Sequence, residues 1–349
     1  MAVRTKVTIS EVAEAVGVSA QTISRVLNDR PDVSPETRQR VWQVIGDLGY
    51  RPNAIARSLI RQRSRTLGVV AMGSEYYGPS RILVAVEKQI RELGYSLLLD
   101  LVHNVENKQV DHILNRLLSQ QVEGILWAVP EIGPNREWLD DKRGRLPVPI
   151  VFLSMHAMEG FCVADIDNRK GGYLATQHLI SLGCERIGLI TGPLEWWGAR
   201  ARVDGWRDAL AEAGLPAREL QIYEGNWSAS SGEAGIRHLW ESFPEIEAVF
   251  ASNDQMALGV LKAMHERHSR DSGWLAVIGF DNIPESAYFW PQLSTIDQPL
   301  VELGKKAVEE LYSMISAEQS GKEPYSPRNI LLEPALVVRD STLKWSAWK

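Results

Sequence analysis

Seven short apolar runs, each bounded by polar turns, recur between residues 66 and 279. They are Thr66–Ala71, Tyr95–Val102, Gly124–Val129, Pro149–Leu153, Arg186–Thr191, Glu247–Ala251 and Trp274–Gly279. Between them lie stretches whose apolar residues return every three or four positions: Ser80–Leu93, Lys108–Gln120, Asn168–Leu182, Ala199–Ala213, Ser230–Trp240 and Asp254–His265. A strand that is apolar throughout is covered on both faces, and a helix between two such strands returns the chain for parallel pairing. The alternation therefore predicts parallel α/β sheets. About 280 residues is large for one doubly wound sheet, so two lobes are expected.

The bulk properties narrow the class. Of 349 residues, 44% are hydrophobic and 23% charged, which excludes a disordered, collagenous or disulfide-scaffold chain. No stretch approaches 18 consecutive apolar residues, so no transmembrane helix is expected. The start, Met1-Ala2-Val3-Arg4-Thr5-Lys6, has no apolar signal-peptide core, and a cytoplasmic location is expected. Cys162 and Cys184 offer neither a disulfide framework nor metal spacing, and read as buried or partly buried free thiols in a reducing compartment. No metal or cofactor is implied.

Charge is unevenly distributed. Residues 1–65 carry eleven Lys and Arg against six Asp and Glu, whereas the remainder carries 27 against 38. A basic head on an acidic body suits a polyanion-binding module joined to something else.

The head reads as a helix-turn-helix. Thr8 and Glu11 fit a capping box, and Ile9, Val12, Ala13 and Val16 make one apolar helix face. Gly17 supplies the turn, and Ser19 caps a second helix with inner residues Ile23, Val26 and Leu27. Its outward positions are Ala20, Gln21, Ser24, Arg25 and Asn28; Gln and Arg there can make bidentate contacts to A and G edges in a major groove. The hydroxyls of Thr8, Ser10, Ser19 and Thr22 and the second helix's N-terminus are candidates for phosphate contacts. A third helix starts at Ser34-Pro35-Glu36, presents Val41, Val44, Ile45 and Leu48, and stops at Gly49. The following segment, Arg51–Arg63, carries arginines, a Pro52-Asn53 start and an apolar Leu59. It is too short for a stable isolated helix and suits a segment that folds on DNA and wedges Leu59 into the minor groove; an ordinary basic linker is the alternative.

Val7–Ala13, Gly17–Asn28 and Leu48–Asn53 together closely resemble the LacI/GalR family of bacterial transcriptional repressors. The resemblance implies that Ala20, Gln21 and Arg25 read bases. It also implies that the segment holding Asn53, Ala56, Arg57 and Leu59 is a hinge helix, with Leu59 at the minor-groove wedge. The expected organisation is a head over 1–50, a hinge over 51–65, a core over 66–342 and a tail over 343–349. No Leu heptad trails the core, so a dimer is expected.

In open α/β sheets ligands bind beyond the carboxyl ends of strands. Ser154, Asn253, Asp281 and Trp227 follow apolar runs, and Arg200 and Arg202 open the helix after Arg186–Thr191. An Asp, an Asn, an Arg and a Trp suit a saccharide: the polar groups pair with hydroxyls and the indole covers an apolar sugar face. Asp and Asn after strands also serve as helix caps, and Asp167-Asn168 reads as one such cap. Ala199–Trp206, Glu224–Ala229, Ala251–Gly259 and Gly279–Asp281 resemble the same family, whose core has a periplasmic-binding-protein-like fold of two parallel-sheet lobes. That resemblance places effector contacts on Arg202, Trp227, Asn253, Asp281 and Gln298, with Met72, Tyr76 and Ser154 also at the pocket.

Enzyme readings find little support. No two glycines are spaced as G-x-G, no G-x-S-x-G or G-x-x-x-x-G-K-[ST] occurs, and His265-Glu266-Arg267-His268 is one residue short of H-E-x-x-H. The expected function is a dimeric repressor of a palindromic operator, released by a small sugar such as a galactoside or related saccharide. The alternatives are a same-family regulator with a purine-like corepressor and a sugar-binding receptor without a regulatory role.

Overall fold

The chain begins with three helices that carry their own stop and start signals. Thr8 caps α1 (Ile9–Val16): its hydroxyl accepts from the Glu11 amide at 3.3 Å, and the Glu11 carboxylate accepts from the Thr8 amide at 2.6 Å. The Thr8 amide, with the Thr8 hydroxyl donating to the same carboxylate at 2.9 Å, holds the Glu11 carboxyl below its ordinary range. Gly17 closes α1 at φ +77°, a left-handed conformation that glycine adopts without steric cost. Ser19 accepts from the Thr22 amide at 3.1 Å and opens α2 (Ala20–Leu27). Ser34 and Pro35 open α3 (Pro35–Leu48). Val12, Val16, Ile23, Val26, Val41 and Ile45 form the small shared core, and Arg40 donates to the Val16 carbonyl at 2.6 Å. Leu48, expected on the inner face of α3, is exposed: the helix ends at Gly49 immediately after it, past the reach of α1 and α2.

The computed structural model describes residues 7–27, 30–50, 63–73, 75–102, 107–142, 145–268, 275–320, 325–326 and 328–343. The hinge positions Asn53, Ala56, Arg57 and Leu59, the recognition-helix position Asn28 and nearly all of the 343–349 tail lie outside the described residues. By contact the chain divides into two compact units, Met1–Ser64 and Arg65–Lys349.

The second unit is built on two sheets. The first sheet has the order β11-β5-β4-β3-β1-β2. Its strands are β1 (Thr66–Met72), β2 (Ser96–Val102), β3 (Gly124–Ala128), β4 (Ile150–Leu153), β5 (Cys162–Ile166) and β11 (Ile330–Leu332). The second has the order β7-β6-β8-β9, from β6 (Ile187–Thr191), β7 (Ile222–Glu224), β8 (Ala248–Ala251) and β9 (Ala276–Ile278). All pairings within both sheets are parallel. The helices are α4 (Tyr77–Glu92), α5 (Asn107–Ser119), α6 (Asn168–Ser181), α7 (Trp197–Glu212), α8 (Ala229–Ser242), α9 (Asp254–His268) and α10 (Leu300–Ser320). A short antiparallel pair, β10 (Thr295–Asp297) with β12 (Ala335–Val337), completes the second lobe.

The chain therefore passes between lobes three times: at Asp167, between β10 and α10, and between β11 and β12. The interior β1, β3, β4, β5, β6 and β8 are buried along most or all of their length, as continuous apolar runs require. β5, β7, β10, β11 and β12 have no counterpart among the seven runs: β7, β10, β11 and β12 are three residues each, and β5 is interrupted by Asp165. Both cysteines are free and buried. No described helix is long and apolar enough to cross a membrane.

Two helix crossings in the second lobe rest on absent side chains. A Cβ at Gly172 would lie 2.2 Å from the Arg202 carbonyl oxygen, and one at Gly205 would lie 2.0 Å from the Arg169 carbonyl oxygen, so α6 and α7 touch backbone to backbone. Gly232 and Gly259 do the same for α8 and α9. Rigid backbone cannot give way as a side-chain tip can. Gly205→Ala is expected to destabilise the core by roughly 1–3 kcal/mol or more, seen as a lower melting temperature, whereas the exposed Gly214→Ala should show only the cost of its φ of +69°.

Candidate functional site

Between the lobes lies a cavity of about 490 Å³. It opens at the carboxyl ends of the strands: Pro130 follows β3, Ser154 follows β4, Asp165 lies near the end of β5, Asn253 follows β8 and Asp281 follows β9. Of the residues that the sequence placed at a pocket, Tyr76, Ser154, Arg202, Trp227, Asn253, Asp281 and Gln298 all line it. Met72 does not. It is the last residue of β1 and still pairs in register with Val102, and the loop that reaches the cavity starts after it.

Arg202 organises the polar end. It is 8% exposed, on the first half of α7 where that helix crosses α6. Its Nε donates to Asn168 Oδ1 at 2.8 Å, and its Nη1 donates to the Ser252 carbonyl and lies 4.0 Å from Asp281 Oδ1. The guanidinium stacks 3.7 Å from the Phe280 ring centroid and 5.5 Å from that of Trp227. Burial lowers its pKa to about 10, and the carboxylates of Asp281, Asp165 and Asp254 oppose that fall. Asp281 accepts from Gln298 Nε2 at 2.6 Å. Burial raises the Asp281 carboxyl to about 6, with Arg202 and the Gln298 bond pulling it back. Asn168 is no mere cap: Asp167 accepts from the Lys170 amide and takes that role, while Asn168 faces the cavity and holds Arg202.

Asn253 combines two jobs. Its Oδ1 accepts from the Met256 amide at 2.8 Å at the start of α9, and its Nδ2 donates to the Trp227 carbonyl at 2.9 Å. Trp227 sits at φ +69°, Ser154 at +59° and Asp281 at +109°. Non-glycine residues in such conformations cost of order 1–3 kcal/mol each and cluster where a binding surface demands them.

The other end of the cavity is aromatic. The Trp227 and Trp196 ring centroids are 5.8 Å apart, and Trp196 and Tyr76 are 4.9 Å apart, both edge to face. Tyr76 precedes α4 in the first lobe and Trp196 precedes α7 in the second, so this wall spans the cleft. Trp197 Nε1 donates across the cleft to Asp165 Oδ2 at 3.1 Å. Burial raises the Asp165 carboxyl to about 7. None of Asp165, Trp196 and Trp197 was found by reading strand ends. Asp165 lies within a strand absent from the seven runs, and Trp196 and Trp197 stand at the N-cap and first position of α7, ahead of that helix's apolar pattern.

A second cross-lobe network lies beside the cavity. Glu131, 5% exposed, meets Arg200 at 3.1 Å, His156 at 2.7 Å and Arg136 at 3.7 Å. Backbone bonds run alongside, from Gly133 to the Glu195 carbonyl at 2.9 Å and from Trp197 to the Glu131 carbonyl at 3.0 Å. Arg200, singled out in sequence with Arg202, thus ties the lobes and is not among the residues lining the cavity.

In the head, Ala20, Gln21 and Arg25 are exposed on α2, while Thr22 and Ser24 are half-buried. Thr22 and Ser19 share a hydroxyl hydrogen bond of 2.9 Å, and Thr8 is held in its capping box; Ser10 is exposed in the first turn of α1. Arg25 lies 3.4 Å from Asp32, an exposed pair worth little in water and readily exchanged for another partner. Among the described residues, no group of three or more His, Cys, Asp and Glu is arranged to hold a metal.

These features define a class: a helix-turn-helix head joined to a two-lobed ligand-binding core. Residues 8–53 match the bacterial regulatory proteins of the lacI family, and residues 176–342 match a periplasmic binding protein-like domain. The HTH-type transcriptional repressor PurR of Actinobacillus pleuropneumoniae serotype 5b is 35% identical over 335 residues, covering 96% of this chain and 98% of the relative. PurR of Haemophilus influenzae KW20 is 32% identical, covering 96% and 98%. Among solved structures, the lac repressor dimer bound to operator and the anti-inducer ONPF superposes with a TM-score of 0.84 at 30% identity, covering 97% of this chain and 100% of that one. The transcriptional regulator CelR–cellobiose complex gives 0.67 at 29% identity, covering 96% and 100%. The chain belongs to the lacI family of bacterial regulatory proteins and is a DNA-binding transcriptional repressor, not an enzyme.

The seat of Trp227 can be tested directly. A Cβ at Gly192 would lie 2.2 Å from the indole ring. Gly192→Ala is expected to displace Trp227, costing about 1–3 kcal/mol in stability and shifting the tryptophan emission, while the far-ultraviolet circular dichroism stays that of the parent.

Proposed function

We propose that the chain represses transcription as a homodimer on a near-palindromic operator and is released when a small sugar occupies the interlobe cavity. The observation that carries the effector reading is the make-up of that cavity. A buried guanidinium, carboxyls and amides stand at one end and indole and phenol rings at the other. Polar groups of those kinds pair with hydroxyls, and the rings cover the apolar face of a sugar. A structural relative, the CelR complex, holds cellobiose in its own structure. The galactoside assignment narrows this class further and awaits a ligand panel.

On the DNA side, Ala20, Gln21 and Arg25 read base edges in the major groove. Thr8, Ser10, Ser19, Thr22 and Ser24 hold the phosphates, with Asn28, Asn53, Ala56, Arg57 and Leu59 as further contacts. Exposed apolar residues support self-pairing: Val84 (59%) on α4, and Leu99 (40%) and Leu101 (47%) on the edge strand β2 that α4 packs against. Two heads on one dimer then meet two half-sites. Effector binding acts on DNA only through its different affinity for the two lobe arrangements, a coupling on the order of 1–3 kcal/mol.

A purine-like corepressor is the second reading, favoured by the flat rings of Trp196 and Trp227, on which a base can stack. A thermal-shift titration against galactosides, glucosides, other hexoses and pentoses, and purines separates the two. Saturable stabilisation by a sugar that also lowers operator affinity supports the saccharide reading; stabilisation by a purine that raises operator affinity replaces it. Arg202→Ala is expected to remove the effector response; an unchanged dose response excludes Arg202 from the site. Gln21→Ala is expected to weaken binding by roughly 1–3 kcal/mol at one base pair of each half-site without changing the salt slope, measured by fluorescence anisotropy on single-substitution operators.

A further inference from the structure

Asp165 stands where the two lobes share the cavity, and the family-derived site residues do not include it. It lies near the carboxyl end of β5 in the first lobe, and Asp281 follows β9 in the second. Both line the same cavity and both act on the Arg202 guanidinium. Asp165 is 8% exposed, and its side chain accepts from Trp197 Nε1, a group that belongs to the opposite lobe. The carboxyl is held from both lobes, by the Ile166 amide of its own strand and by Trp197 across the cleft.

The charge inventory sharpens this. Among the described residues that line the cavity, Arg202 is the one cation, against the carboxyls of Glu75, Asp165 and Asp281. The N-termini of α6, α7 and α8 open on the same space. Their partial positive charge would ordinarily welcome an anion. Here two buried carboxyls already occupy that field, and a ligand phosphate or carboxylate would meet the charge of Asp281, and that of Asp165 in its ionised form, in a medium that screens them poorly. A carboxylate accepts from hydroxyl donors without such a penalty. Burial holds Asp165 near neutral pKa, so it is also able to donate when protonated.

Building on the saccharide reading, we propose that Asp165 is a specificity-determining effector contact. With Asp281 it grips hydroxyls from opposite lobes, so the site selects an uncharged polyol and rejects its phosphate ester.

The test uses the full-length protein, isothermal titration and operator anisotropy. The probes are uncharged mono- and disaccharides, each beside its phosphate ester where one exists. The parent protein is expected to bind a neutral sugar at least tenfold more tightly than the ester. Asp165→Asn keeps the size and an acceptor for Trp197 but loses the charge. It should weaken neutral-sugar binding roughly ten- to hundredfold, with operator release shifted to correspondingly higher sugar concentration, and narrow the discrimination against the ester. Trp197→Phe keeps the charge but frees its orientation, so affinity should fall while discrimination persists; this variant decides the matter if Asp165→Asn fails to fold. Unchanged affinity and unchanged discrimination in both variants overturn the role of Asp165 and leave the saccharide reading standing. A preference for the phosphate ester overturns the selection of an uncharged polyol. Binding of no sugar, or of a purine alone, overturns the saccharide reading itself and this inference with it.

Discussion

The guanidinium of Arg202 is the group around which the core is arranged. A buried cation is costly unless it is paired and hydrogen-bonded, and here every part of its surroundings answers that requirement. Asn168 and the Ser252 carbonyl accept from it, Asp281 neutralises it at 4.0 Å, and Phe280 covers its face. The bond to Asn168 requires α7 to lie close to α6, and that approach exists because Gly172 and Gly205 have no side chains. The helix crossing, the charge and the cavity wall form one construction.

The cavity inherits its logic from the sheets. Parallel strands end on the same side of each lobe, so their first loop residues and the N-termini of the following helices gather there. Three chain crossings bring the two gatherings face to face. The Arg202 charge opposes the burial that raises the Asp165 and Asp281 carboxyls in the cleft, and the positive ends of α6, α7 and α8 face the same space. Across the same gap Glu131 draws Arg200, Arg136 and His156 together, and the backbones of residues 131–133 and 195–197 bond to one another. Ligand and lobe arrangement are thus read by neighbouring groups, which a repressor controlled by an effector requires.

The legible parts of the sequence were those governed by local rules. Thr8 with Glu11, Gly17, Ser19 and Ser34-Pro35 announced the head because caps and turns are made within a few residues. Apolar runs announced the buried strands. Residues placed just after apolar stretches pointed to Ser154, Trp227, Asn253 and Asp281, all of which line the cavity, because ligands of open α/β sheets bind beyond the carboxyl ends of the strands. Met72 failed by one register position, because where a strand gives way to its loop depends on its neighbour's pairing.

Local chemistry in the sequence by itself determined the helix-turn-helix and the two-lobed parallel architecture, while the resemblance of its motifs pointed to the family and, together with the strand ends, to most of the polar end of the cavity. Tertiary structure alone decided which residues meet across the cleft. Asp165 near the end of one strand, Trp197 at the head of a distant helix and Glu131 in a loop have no spacing in common, and each acquires its role from a partner in the other lobe. Periodicity and capping record contacts made within an element or its immediate neighbours. A bond between lobes depends on how the whole chain packs, and no short stretch of residues carries that record.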